Sequence, residues 1–189
     1  MKNINTIKTI KLLAILFISA LTFTACTGDD HDDDDHDHGE ELITTVTYTL
    51  TNGNDVVTLT FLDLDGEGGN AGTYTISGPL TAKTTYRGVI KLENATESPA
   101  EDITAEVKAE GDEHEFFYTS GVSSITIAKT DKDGNGNPLG IETTLSTAAA
   151  GSGTITVILK HEPTKPNDGS SSNAGGSTDV EVTFNVTVQ

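Results

Sequence analysis

The sequence predicts an all-β protein: an antiparallel β-sandwich of immunoglobulin-like type, with a barrel as the alternative closure and one short helix. Three observations lead there. From Leu42 onward, apolar and polar residues alternate with period two, as in "ITTVTYTLT" and "VVTLTFLDL", the pattern of strands with one face in a core. Clusters of Gly, Asp, Asn and Pro interrupt these runs at short intervals, which is turn chemistry. Only one window reads as helical, so strands do not alternate with helices as a parallel sheet would require.

Taken in order, the runs at 43–51 and 56–64 flank "NGND". Its Asn52-Gly53 pair signals a hairpin, because both residues tolerate positive φ. Further strands are expected in "TYTIS" (73–77), "TTYRGVIKLEN" (84–94), "HEFFYTS" (114–120) and "SSITIAKT" (123–130). "IETTLST" (141–147), "GTITVILK" (153–160) and "DVEVTFNVTV" (179–188) complete the set. The helical window is "SPAEDITAEVKAE" (98–110). There Ser98 is placed to cap, Pro99 suits the first turn and Glu101 completes a capping-box spacing, which puts Ile103 and Val107 toward the core. "NDGSSSNAGGST" (167–178) reads as a flexible loop, since a strand follows it.

Residues 1–25 read as a removable export signal. Lys2, Lys8 and Lys11 form a positive front, and the apolar run "KLLAILFISALTFTAC" follows, too short to span a bilayer comfortably. Phe23, Thr24 and Ala25 precede Cys26, and small residues just ahead of a cysteine look like the lipobox of bacterial lipoproteins. In that motif the signal is cut and the cysteine is acylated, palmitate-type chains included. An ordinary secretory signal with a chance cysteine is the alternative. Lipidation accounts for the single cysteine of an exported chain, and several acyl groups suffice for stable membrane anchoring. With Cys26 consumed, no disulfide is expected.

Residues 26–41 form a second segment and residues 42–189 the sandwich domain. All 29 acids but only eight of the 11 bases follow Cys26, and nine of those acids precede Leu42. The domain therefore sets 20 acids against eight bases, a net −12, and a polyanion such as nucleic acid is excluded as a natural partner. "CTGDDHDDDDHDHGEE" has nothing to bury and is expected to be disordered at rest. Its His31, His36 and His38, with Asp32, Asp35 and Asp37, can wrap an ion, and imidazole with carboxylate suits zinc, copper or nickel. A solvated segment that only directs export is the competing reading.

Two constellations lie in the domain. "DKDGNGNPLGIE" matches the calcium-loop pattern at Asp131, Asp133, Asn135, Gly136 and, in twelfth place, Glu142. Its flanks are strand-like rather than helical, and Pro138 replaces the usual apolar residue, so a Gly/Asn-rich hairpin turn is expected and calcium is not. "DLDGEGGN" has Tyr74 at its twelfth place and reads as a turn. The other constellation is His114, opening one expected strand, and His161, closing another; sandwich strands can bring such ends together with Glu113, Glu115 or Glu162 nearby. Surface residues or local hydrogen-bond partners are the plainer reading of both. No thiol survives lipidation, and no nucleophile elbow, phosphate-cradling Gly loop or HExxH pair is present, so a non-enzymatic module is expected.

The acidic run after the lipidated cysteine resembles the surface-export signal of Bacteroidota lipoproteins. The segments "ELITTVTYTL", "LTFLDLDGEGGN", "ESPAEDITAEV", "DEHEFFY", "TDKDGNGNPLG", "HEPTKPNDG" and "AGGSTDVEVTF" resemble a small flavobacterial lipoprotein family. That family is often labelled "type 1 periplasmic binding fold superfamily protein". The label implies a two-lobed α/β receptor, whereas the strand pattern implies a sandwich. The resemblance implies a lipid-anchored outer-membrane protein facing the cell exterior, beside an outer-membrane uptake receptor for a scarce nutrient. The leading expectation is a metal-binding surface lipoprotein; the rival is a structural, adhesive or ligand-binding module whose acidic segment only routes and spaces it.

Overall fold

Among the described residues, nine strands form where the alternation predicts them. They are β1 (Thr45–Asn52), β2 (Asp55–Leu62), β3 (Thr73–Ile76), β4 (Thr85–Glu93), β5 (His114–Ser120), β6 (Ile125–Lys129), β7 (Glu142–Thr147), β8 (Gly151–His161) and β9 (Ser177–Val188). Among the described residues two short helices join them, α1 (Ile103–Ala109) and α2 (Ser171–Ala174). This computed structural model describes residues 42–66 and 69–189. The expected signal, Cys26 and the His/Asp-rich segment with His31, His36 and His38 lie outside the described residues.

Six strands pair in the order β3-β2-β1-β4-β7-β6 and three in the order β5-β8-β9. Every strand-to-strand pairing is antiparallel, and the two sheets do not close into a barrel. The period of two places alternate side chains on the inner face. From the larger sheet these include Val46, Tyr48 and Leu50 of β1, Leu59 of β2, and Tyr86, Ile90 and Leu92 of β4. From the smaller sheet come Phe116 of β5, Ile155, Val157 and Leu159 of β8, and Val182, Phe184 and Val186 of β9. Each fully buried side chain of this kind contributes about 1.5–3 kcal/mol relative to exposure. A corner ties the sheets together: between β3 and β4, Leu80 N–H donates to the Thr187 carbonyl and Gln189 N–H to the Leu80 carbonyl.

Three local details differ from expectation. The β1–β2 loop is Gly53-Asn54, because Asn52 still pairs with Asp55. Positive φ falls on Gly53 alone, the requirement of a II′ turn. Helix α1 starts later than its capping box suggests: Glu101 and Asn94 exchange backbone hydrogen bonds, which holds the chain extended until Asp102. The N-cap is therefore Asp102, whose side chain accepts from Thr104 N–H, and not Ser98. Ile103 and Val107 do face the core. Finally, the segment at 167–178 contains α2, whose Ala174 is fully buried and whose carbonyl accepts from Thr164 N–H at 2.7 Å.

Candidate functional site

His114 and His161 stand directly opposite each other in the β5–β8 register. Counting by twos, His114 shares the inner face with Phe116, and His161 shares it with Leu159. The rings stack with centroids 4.8 Å apart and planes 12° from parallel. His114 is 5 % exposed, and its Nδ1 lies 3.1 Å from the Glu110 carbonyl oxygen just after α1. A carbonyl only accepts, so we assign the proton of the neutral ring to Nδ1, which leaves the Nε2 lone pair facing outward from that bond. Nε2 lies 3.8 Å from Asp179 Oδ2. His161 Nε2 lies 3.9 Å from Glu113 Oε2. Both separations exceed hydrogen-bond length.

Asp179 is the member of this group that sequence reasoning missed. Strict alternation in "DVEVTFNVTV" puts residue 179 on the face opposite Val180 and Val182. However, Leu159 pairs with Val180 while Lys160 pairs with Thr178, so Asp179 is the extra residue of a β-bulge. Bulges re-aim side chains, and Asp179 is only 10 % exposed beside His114. The Gly175-Gly176 pair ahead of β9 was the available signal. At Gly176, with φ +66°, a Cβ would lie 2.1 Å from the His161 carbonyl oxygen, so β9 can start this close to β8 only through glycine.

The calcium-like loop, between β6 and β7, has its carboxylates turned to other tasks. Asp131 accepts from the Gly140 and Ile141 amides at 2.8 and 3.0 Å. Asp133 Oδ1 accepts from the Asn135 and Asn137 amides, and its Oδ2 accepts from Lys165 Nζ at 3.1 Å. Glu142 instead pairs with Arg87 Nη2 at 2.9 Å, on the outer face of the six-stranded sheet. Lys165 is almost wholly buried and spends its remaining donors on the carbonyls of Gly111 and His114. Burial pushes the Asp133 carboxyl up, but Lys165 and the Asn137 and Asn135 amides outweigh that, holding it below the ordinary value.

A second lysine closes the outer face of β5. Glu115 is buried, accepts from Lys129 Nζ and accepts from Asn167 Nδ2 at 2.7 Å. Lys129 also lies 4.2 Å above the Phe117 ring, a cation–π contact. Burial lowers the Lys129 pKa, with Glu115 acting against it. Glu115 therefore faces away from the histidines, on the opposite side of its strand. Deeper in, Tyr48 OH lies 2.7 Å from Thr143 Oγ1. Burial pushes its pKa up to about 12 despite that hydrogen bond.

Among the described residues, no three His, Cys, Asp or Glu side chains stand close enough together to hold a metal ion as they are. No protein-family model matches the chain, and neither a curated protein nor a solved structure is significantly similar to it.

Proposed function

We propose that this is a non-enzymatic lipoprotein of the outer membrane, anchored by acylated Cys26 and displayed on the cell exterior. In this reading it binds divalent metal, zinc or an ion like it, through His31, His36 and His38 with Asp32, Asp35 and Asp37. Delivery to an outer-membrane uptake receptor is the attached role, and the β-sandwich is the stable body that the segment serves. The observation that carries the reading is the density of ligands directly after the lipobox: three imidazoles and nine carboxylates within residues 26–41. Imidazoles bind metal only when deprotonated.

Zinc titration of a peptide spanning residues 27–41 tests this directly. The expected result is sub-millimolar binding that weakens as pH drops through about 6.5, the unperturbed histidine pKa. Absent binding, or binding that ignores this pH range, leaves the segment as an export signal and spacer and removes the metal function. Anchoring has its own test. Cys26→Ser should release the protein from membranes, and continued tight association of that variant would contradict the lipoprotein reading.

A further inference from the structure

The strand-end histidines belong to a different part of the chain from residues 26–41, and their geometry stands independently of them. We propose that His114, His161, Asp179 and Glu113 form a second site for a divalent ion of the zinc class, at the open end of the three-stranded sheet.

Half of this site is preset. The Glu110 carbonyl holds His114 Nδ1–H, the arrangement that fixes a metal-ligating histidine and leaves Nε2 to bind. The bulge in β9 brings the Asp179 carboxylate to 3.8 Å from that nitrogen. Zinc bonds of about 2.0–2.1 Å to nitrogen and 2.0–2.2 Å to oxygen set neighbouring tetrahedral ligands about 3.4 Å apart. The gap is too wide for a hydrogen bond and within a few tenths of an ångström of a shared ion. The second half is adjustable. His161 is 19 % exposed and Glu113 is 42 % exposed, with Nε2 and Oε2 already 3.9 Å apart. To complete the site, the His161 ring leaves the stacked arrangement and turns its Nε2 toward the ion held by His114, and the exposed Glu113 side chain swings in as the fourth ligand. Two neutral imidazoles and two carboxylates match the charge of one divalent ion. Of the lysines around the site, Lys165 is taken up by the Gly111 and His114 carbonyls and the Asp133 carboxylate, and Lys160 Nζ by the Gly176 carbonyl.

A site built from three strands exists only in the folded chain, so an ion bound there must raise the melting temperature. Zinc captured by residues 31–38 draws on ligands that unfolding does not remove, and such binding leaves the melting point in place. The experiment is thermal melting of the mature chain, kept in solution by Cys26→Ser, with and without zinc chloride. At a hundredfold excess over Kd the folding equilibrium gains about a hundredfold, a rise on the order of 5 °C for a domain of this size. The rise should persist when His31, His36 and His38 are all changed to Asn. It should vanish in His161→Gln and shrink in Glu113→Gln, two partly exposed positions whose variants keep the fold. No rise in the unaltered chain overturns the proposal, as does a rise that survives His161→Gln or disappears with the three tail histidines. Zinc stoichiometry, read on the same samples, falls in the tail variant if residues 26–41 bind and so reports separately on that function.

Discussion

Two polar clusters meet at His114, one at its backbone carbonyl and one at its ring. In the first, Lys165 brings an ammonium to the His114 and Gly111 carbonyls and the Asp133 carboxylate. In the second, the His114 ring meets His161 and Asp179 at distances longer than hydrogen bonds. The first cluster carries its cation on its own chain; the second sets two imidazoles beside a carboxylate, the groups that the proposed ion would take. An acidic loop that matches a metal motif can thus be filled by a cation of the chain itself. A long side chain arriving from 32 residues away in sequence is invisible to a motif read from one segment.

The contrast breaks most visibly at Lys165. Replacing it with Met leaves Asp133 and two carbonyls buried without their partner, and losing one member of a buried pair costs about 3–5 kcal/mol. Urea unfolding should show a loss of that size. Adding Asp133→Asn to that variant should recover part of it, because the orphaned charge is gone. Asp133 also sets an acid limit. Its folded pKa lies below the ordinary value, so its contribution is fully present above about pH 4, the unfolded carboxylate range. It is lost as pH falls through the lower folded value. Stability measured from pH 5 downward should therefore fall less steeply in Asp133→Asn. The smallest effect belongs to Glu142→Gln: its partner is the exposed Arg87, and the change should stay within about 0.5 kcal/mol.

Strand positions were legible because burial on one face writes itself into alternation; β1 from Val46 to Leu50 and β9 from Glu181 to Val188 show it residue by residue. Alternation placed His114 and His161 at strand ends, where surface positions were the plainer reading; the pairing of β5 with β8 that sets them face to face is not written in either run. Less was legible wherever one backbone group is claimed by a distant partner. The Asn94–Glu101 exchange displaced the helix cap to Asp102, and the bulge turned Asp179 against its own alternation. Glu115 alternates outward, yet Lys129 and Asn167 cover it, which no local pattern encodes.

The most direct measurement is to melt one sample of the mature chain in millimolar calcium and another in zinc. With Lys165 seated at Asp133 and Glu142 paired to Arg87, calcium should leave the melting temperature flat, while zinc should raise it by several degrees. A melting point that climbs with calcium, stops climbing in Glu142→Gln and ignores zinc would reverse the roles assigned to the two clusters.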